Sequence, residues 1–273
     1  YACYLWRKQT NYFSPVQINL YKNLIAFSIF SPIIFTISLK DNIKEIAILF
    51  VSGVIGIAIG DSFYITALKK LGTRRTLTVE AFSPLIATTL GSFILNELPP
   101  AQVWIGALLV TLSLIGVAFQ RTKKDSYNFI EIKRDGFAFA FASILCAVLA
   151  AILSRLVLIN SDLNPFQSTE IRLFGSIVLL IPFCRIDLFE KIKGLSLENK
   201  NKIFYATFLG TNLGILLQQY VFQLLPIGLG WTLLSTSPAF SLFFVESEGE
   251  TLNWTSLFLT ILTISGVTIA LIN

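Results

Sequence analysis

The chain has no histidine and no methionine, and only 14% of its 273 residues are charged. Without histidine, imidazole zinc sites, His general bases and Ser-His-Asp triads are excluded. The scarcity of charge argues against a soluble domain, because soluble domains carry roughly 25% charged residues. An apolar chain of this length usually contains several methionines, and this one begins at Tyr1. We therefore expect an N-terminal truncation that removes most of a first helix.

Cysteine is also scarce: the chain contains only Cys3, Cys146 and Cys184. They show no metal-ligand spacing and define no disulfide framework, so neither a metal nor a cofactor is predicted. The net charge of +5 does not indicate nucleic acid, because the basic residues lie in short clusters between apolar runs. Those runs, with 54% hydrophobic residues and 24 phenylalanines, predict an all-α integral membrane protein whose partners are the lipid bilayer and a small-molecule substrate.

The apolar runs have the length of membrane spans. About 20 apolar residues are needed to cross about 30 Å of hydrocarbon. By this measure the chain has nine full spans, and Tyr1–Trp6 is the end of another, which makes ten. The predicted spans are 17–39, 46–68, 76–95, 101–119, 136–158, 166–184, 203–224, 228–245 and 253–272.

An internal repeat is visible in the order of short motifs. Ser14-Pro15-Val16-Gln17 is matched 150 residues later by Asn164-Pro165-Phe166-Gln167. Further matches follow in the same order, at an offset of 150 or, in the third and fourth spans of each half, of 154. These pairs are Lys22 with Arg172, Pro32 with Pro182, Gly56 and Gly60 with Gly210 and Gly214, Ser83-Pro84 with Ser237-Pro238, Trp104 with Trp254, and Gly116-Val117 with Gly266-Val267.

The repeat predicts two domains of five helices each, residues 1–119 and 136–273, joined by a polar loop at 120–135. Because five is odd, the second repeat enters the membrane with the opposite orientation. Inverted repeats are typical of secondary transporters, since two pseudo-equivalent halves can alternate between inward-open and outward-open shapes. We therefore predict a transporter without enzymatic activity. A membrane-embedded enzyme acting on lipid-linked substrates, or a channel, is the alternative.

Ionisable residues inside spans are candidates for the substrate pathway, because each costs roughly 2.5–3.5 kcal/mol at mid-helix. Lys22 and Arg172 occupy matching repeat positions, and snorkelling to the interface is their alternative interpretation. Glu170 is expected near the interface, where it pairs with Arg172 or caps its helix. Asp61 or Glu80 is predicted to pair with Lys22 across the bundle, so that protonation of the acid could gate transport.

Two amides form the second set of candidates. Asn212 and Gln219 are seven residues apart and hence share one helix face. Together with the following Trp231 they suit a small polar organic solute, although hydrogen bonding between helices explains the amides equally well.

Prolines and glycines mark special positions in the spans. Pro84 and Pro238 each leave a backbone carbonyl unbonded four residues earlier, which produces either a simple kink or a polar spot on the pathway. The pairs Gly56/Gly60 and Gly210/Gly214 each place two small residues on one face, for helix packing or as a sliding surface.

The order of these motifs resembles EamA-type members of the drug/metabolite transporter superfamily. The run Gly60–Leu71 is similar to the end of that family's third helix, and Ser83-Pro84 with Asn96-Glu97-Leu98 to the signature that follows. The second half repeats the pattern at Ser237-Pro238 and Gly249-Glu250. The resemblance implies ten helices as two inverted EamA repeats around a central cavity, and export or exchange of metabolites.

Orientation is predicted in two conflicting ways. Alternate loops hold 16 Lys and Arg residues against three on the opposite side, which places the 120–135 loop in the cytoplasm and both termini outside. The resemblance implies cytoplasmic termini instead. The absence of trafficking extensions favours a prokaryotic inner membrane. The substrate, a proton or other coupling ion, and the choice between monomer and homodimer stay open.

Overall fold

The computed structural model describes residues 6, 9–38, 42–119, 135–184, 187–236 and 254–272. Within these residues the chain is helical, with no strand, so the predicted all-α membrane fold is confirmed. Five described helical stretches are long and apolar enough to cross a membrane, and two shorter apolar helices accompany them. The five are Pro15–Thr36, Ile43–Leu71, Arg75–Ile94, Asp135–Asn160 and Pro165–Phe183, and the shorter two are Ala101–Gly116 and Leu257–Leu271.

The helices of the first half begin and end close to the predicted spans. Short 3₁₀ or π-helical stretches extend or connect several of them. In chain order they are α1 (Pro15–Phe30) continued by a 3₁₀ segment (Ser31–Thr36), α2 (Ile43–Gly53), a π-helical segment (Val54–Gly60), α3 (Asp61–Leu71), α4 (Thr73–Glu80), α5 (Ser83–Ile94) and α6 (Ala101–Phe119).

The second half follows the same plan, with an additional short helix between two spans. Its elements are α7 (Asp135–Asn160), α8 (Pro165–Leu180) with a 3₁₀ segment (Ile181–Phe183), α9 (Asp187–Lys193), α10 (Leu197–Thr207), a π-helical segment (Phe208–Leu213), α11 (Gly214–Leu224), α12 (Ile227–Leu234) and α13 (Trp254–Leu271). The later part of the predicted span 228–245, with Pro238, lies outside the described residues.

The two matching motifs start their helices by the same mechanism. Ser14 accepts a hydrogen bond from the backbone N–H of Gln17, whose side chain accepts one from the backbone N–H of Ser14. Asn164 and Gln167 form the same reciprocal pair at the start of α8. This capping box satisfies N–H groups that the first helical turn leaves without partners. The repeat in sequence is therefore a repeat in local structure.

The glycine pairs of the two repeats both lie in or beside π-helical segments. Val54–Gly60 contains Gly56 and Gly60, and Phe208–Leu213 contains Gly210 and ends just before Gly214. At the offset of 154, the two segments start at corresponding positions. A π segment interrupts the regular ladder of backbone hydrogen bonds and is frequent at functional sites.

The chain divides into two compact units, and each combines helices from both sequence repeats. The first unit consists of Tyr1–Lys69 with Ala138–Leu224, and the second of Lys70–Phe137 with Leu225–Asn273. Within the first unit, α1 packs against its repeat mate α8. Within the second, α6 packs against its mate α13.

Both mated pairs are antiparallel. In the second unit, Ser113 and Thr263, which are related by the repeat, form a hydrogen bond between their hydroxyls at 2.6 Å. On either side of this contact, Gly106 approaches Gly266, and Gly116 approaches Leu259. Residues later in α6 therefore contact residues earlier in α13. In the first unit, α1 and α8 follow the same rule: Asn23 contacts Ser176, and Phe30 contacts Phe166. The inverted repeat is thus present in the packing.

Polarity is distributed as expected for a protein in lipid. Large apolar side chains are exposed, among them Phe35, Phe93 and Trp254. Exposed apolar side chains in this number favour an apolar environment. The interior of the first unit holds many polar residues beside its apolar clusters. Its fully buried polar residues are Asn19, Asn23, Ser52, Ser154, Ser168, Thr169, Glu170, Ser176, Thr207, Asn212 and Gln219.

Candidate functional site

A buried ion pair lies in the first unit. Lys22 projects from the middle of α1, is 5% exposed, and its Nζ donates to Asp61 Oδ2 at 2.6 Å. A second hydrogen bond joins Lys22 Nζ to Asn23 Oδ1 at 3.1 Å. Asp61 is the first residue of α3, directly after the π-helical segment. The predicted pairing of Lys22 with Asp61 is therefore present, and Lys22 does not snorkel to an interface.

Two asparagines on α1 connect this ion pair to the interrupted helix. Asn19 Nδ2 donates to the carbonyls of Ile57 at 2.7 Å and Ala58 at 3.0 Å, both in the π-helical segment. Asn23 Nδ2 donates to Asn19 Oδ1 and to Ser176 Oγ, each at 3.1 Å. Where a helix is irregular, some backbone carbonyls lose their usual hydrogen bond within the helix, and away from water they need another donor. The amide of Asn19 supplies it.

Asn19 and Asn23 were not among the candidates predicted from the sequence. The available signal was their spacing: two amides four residues apart share a helix face in an otherwise apolar span, and Lys22 stands beside them.

Arg172, the repeat mate of Lys22, is buried in the same unit. Arg172 is 3% exposed, and its Nε and Nη1 have no hydrogen-bond partner among the described residues. The carboxylate of Asp61 acts on it electrostatically. The backbone of α8 at this point touches α2, since a Cβ on Gly53 would lie 2.0 Å from the Arg172 carbonyl oxygen. Close backbone contact thus fixes the helix that carries the guanidinium.

The predicted amides are buried in the first unit as well. Asn212 Nδ2 donates to the Ala26 carbonyl at 2.9 Å, and Gln219 Oε1 accepts from Ser168 Oγ at 2.8 Å. Each amide keeps one polar atom without a partner among the described residues, Asn212 Oδ1 and Gln219 Nε2. The amides therefore connect helices and still have hydrogen-bonding capacity to offer a ligand.

Glu170 differs from its expected setting. It is fully buried, and neither carboxylate oxygen has a hydrogen-bond partner among the described residues. The suggested pairing with Arg172 is therefore absent there. Glu170 and Arg172 are two residues apart on α8. At that spacing, side chains project from opposite sides of a helix.

The remaining described candidates belong to the second unit. Pro84 lies in the first turn of α5, and α4 ends four residues before it, at Glu80. The Glu80 carbonyl accepts a hydrogen bond from Ser83 Oγ, so a neighbouring hydroxyl relieves the helix break. Trp231 lies half-buried in α12. Pro238, the repeat mate of Pro84, lies outside the described residues.

The two glycine pairs have different surroundings. A Cβ on Gly56 would lie 2.6 Å from Ala150 Cβ, and one on Gly60 would lie 3.1 Å from Cys146 Cβ. This pair is therefore packed tightly against α7. Gly210 and Gly214 are exposed, and a Cβ on Gly214 would meet only the Leu209 carbonyl of its own turn, at 3.7 Å.

The chemistry available at this site is recognition by charge and amides. The described residues contain no group of three His, Cys, Asp or Glu side chains that could hold a metal ion. The site offers ammonium, guanidinium and carboxylate groups and amide atoms, which bind polar solutes by hydrogen bonds and charge.

Antiparallel helical repeats with an apolar exterior and a charged interior define a multi-pass membrane protein. The model of the EamA-like transporter family matches residues 4–119 and 135–272, one stretch for each half, and the chain belongs to that family. It is accordingly a membrane transporter of the drug/metabolite type. One solved crystal structure has the same fold, with a TM-score of 0.73 and 14% identity over 99% of this chain and 93% of that chain. No curated protein matches the chain.

Proposed function

We propose that this protein is a secondary transporter that exports or exchanges a small metabolite by alternating access. The observation that carries the proposal is the Lys22–Asp61 ion pair, whose lysine is buried and whose two helical stretches are long and apolar enough to span a membrane. Charges inside spans are expensive, so they are kept where they bind a substrate or a coupling ion. The working unit consists of the two five-helix repeats, residues 1–119 and 136–273, with 120–135 as connecting loop.

The inverted packing supports alternating access. Because each repeat mate runs antiparallel to its partner, the two halves are able to exchange conformations and open the same site to opposite sides of the membrane. The π-helical segments and the break between α4 and α5 interrupt the regular helices, and such interruptions are points at which a span can bend.

Each group of candidate residues has a proposed role. Lys22, Asp61 and Arg172 form the charged centre, and Asn212 and Gln219 add hydrogen bonds to the solute. Glu80 and Trp231 line the pathway, whereas the glycines and the helix breaks at Pro84 and Pro238 permit movement. Protonation of Asp61 would release Lys22, and this exchange is the proposed means of coupling to a proton. The proposed location is a prokaryotic inner membrane.

The test is counterflow in liposomes that contain the purified protein. Vesicles loaded with unlabelled amino acids, nucleosides or organic anions are diluted into the same labelled solute. A transporter gives saturable uptake that the solute inside stimulates. A channel gives linear flux without stimulation, and an enzyme gives a chemically altered solute. The matched control is the double variant Lys22→Met with Asp61→Asn, which removes both charges of the pair and should abolish counterflow while the protein stays folded.

A further inference from the structure

The charged centre holds more positive than negative charge. Asp61 bonds to Lys22 and also acts electrostatically on Arg172, so two cations share one acid. Both cations are buried, with 5% of Lys22 and 3% of Arg172 exposed. Glu170 forms no ion pair with Arg172: its oxygens bond to none of the described residues, and its spacing of two residues on α8 places the two side chains on different helix faces. Buried charge of one sign is costly unless an opposite charge accompanies it.

The repeat shows which acid is missing. Lys22 and Arg172 occupy equivalent positions, separated by 150 residues. The equivalent of Asp61, at the offset of 154 that relates Gly60 to Gly214, is Ile215. Ile215 packs in an apolar cluster with Ala26, Ile57 and Leu173. The second repeat therefore has a cation at the position matching Lys22 and an apolar residue at the position matching Asp61.

Two donors of the Arg172 guanidinium, Nε and Nη1, are buried and have no acceptor among the described residues. A guanidinium carries five N–H groups and always a positive charge, so buried donors of this kind are unfavourable until an acceptor reaches them. The guanidinium lies against the π-helical segment that ends just before Asp61, since a Cβ on Gly56 would be 3.3 Å from Arg172 Nη2. Planar guanidinium groups bind carboxylate and phosphate oxygens by strong, charge-assisted hydrogen bonds.

We infer that Arg172 binds an oxyanion of the transported solute, a carboxylate or a phosphate, which supplies the negative charge that the second repeat lacks at Ile215. The inference rests on the proposed transporter function and narrows its substrate to anionic or zwitterionic solutes. Asp61 neutralises Lys22 while the oxyanion is bound, so the oxyanion neutralises the remaining positive charge of Arg172.

The test measures thermal unfolding of the purified protein in nanodiscs of neutral phosphatidylcholine. The probes are sodium acetate, sodium phosphate and sodium benzoate, against sodium chloride at equal ionic strength and benzyl alcohol as the uncharged match of benzoate. We expect at least one oxyanion to raise the Tm by about 2–4 °C at ten times its Kd, with no effect of benzyl alcohol. Arg172→Gln should lose the shift, and Arg172→Lys should retain part of it.

Arg155→Gln is the matched control. Arg155 is a second buried arginine of the first unit, but its Nη1 already donates to the Phe222 carbonyl at 2.7 Å. Its variant should melt at a different temperature and still respond to the oxyanion. Absence of any shift in the wild type, or an unchanged shift in Arg172→Gln, would overturn the inference.

Two further experiments distinguish a lipid headgroup from a soluble solute as the source of the oxyanion, and oxyanion binding from transport. If nanodiscs of phosphatidylglycerol stabilise the protein through Arg172 and remove its response to the soluble probes, the oxyanion is a lipid headgroup and the inference is wrong. If the oxyanions bind through Arg172 but counterflow is absent, the binding site stands and the transporter function fails. Saturable counterflow of cationic or neutral solutes, without oxyanion binding, would leave the function and remove the inference.

Discussion

Breaking the Lys22–Asp61 pair should destabilise the protein by an amount that follows from its burial. The Lys22 side chain is 6% exposed and the Asp61 side chain 38%. Removing one partner of a fully buried pair costs about 3–5 kcal/mol, because the other charge stays buried and unpaired. Partial exposure of Asp61 reduces this, so we expect about 2–3 kcal/mol for Asp61→Asn, in which an amide oxygen can still accept from Lys22 but no negative charge balances the ammonium.

The two single variants should not be additive. Lys22→Met removes the buried cation and leaves a half-exposed carboxylate that water can solvate, which costs less than Asp61→Asn. The double variant should then be more stable than the sum of the singles predicts, with a coupling energy of about 1.5–2.5 kcal/mol. The assay is unfolding by sodium dodecyl sulfate in mild detergent, followed by circular dichroism.

The exposed pair Lys202–Glu198 provides the control cycle, with Lys202→Met and Glu198→Gln. Its side chains are 44% and 75% exposed, four residues apart on one helix. Such pairs contribute only about 0.3–0.5 kcal/mol. A coupling energy for Lys22 and Asp61 no larger than this control value would refute the reasoning that the pair is buried and energetically coupled.

Three further predictions concern packing and the interrupted helix. Gly106→Leu should destabilise the protein by at least about 3 kcal/mol, because a Cβ there would lie 2.4 Å from the Gly266 carbonyl oxygen. The control Gly194→Ala, where a Cβ would meet nothing nearer than 3.6 Å, should change the stability by no more than about 0.5 kcal/mol. Equal costs for the two variants in the same unfolding assay would contradict this packing. Asn19→Leu should cost about 1–3 kcal/mol, since the Ile57 carbonyl loses its side-chain donor while the Ala58 carbonyl keeps only Ser62 Oγ; unchanged stability would show that other groups satisfy the Ile57 carbonyl. The double variant Ser113→Cys with Thr263→Cys should form a disulfide under mild oxidation, because the two native hydroxyls are 2.6 Å apart. The disulfide is detected as a shift in gel mobility that reduction reverses. Free thiols after oxidation would mean that α6 and α13 do not contact each other there.

Much of the fold followed from the sequence because span length and repeat order are properties of local sequence. The start of α8 at Pro165 was readable from the Asn164-Pro165 motif, since capping depends on residues within one turn. The π-helical segments were not, because Gly56 and Gly60 indicate close packing but give no sign that the hydrogen-bond ladder shifts. That shift is stabilised by Asn19, a residue about 40 positions away in sequence.

The charged centre was predictable only in part. The cost of burying charge identified Lys22, Asp61 and Arg172 as candidates, and opposite charge suggested that the first two pair. Which atoms of Glu170 and Arg172 lack partners among the described residues depends on how α8 is rotated against its neighbours. Tertiary packing sets that rotation, and the periodicity of a helix that is apolar on most sides does not reveal it.

The central claim, that a buried polar centre faces each side of the membrane in turn, is tested most directly by the accessibility of one thiol. Ser62→Cys, beside Asp61, is introduced after replacing Cys3, Cys146 and Cys184 by serine. A membrane-impermeant maleimide is then applied from either side of oriented proteoliposomes. The account predicts labelling from both sides, with solute gradients of opposite direction shifting reactivity from one side to the other. Ser113→Cys, buried between α6 and α13, should stay unlabelled. Labelling of position 62 from one side only, whatever the gradient, would contradict alternating access.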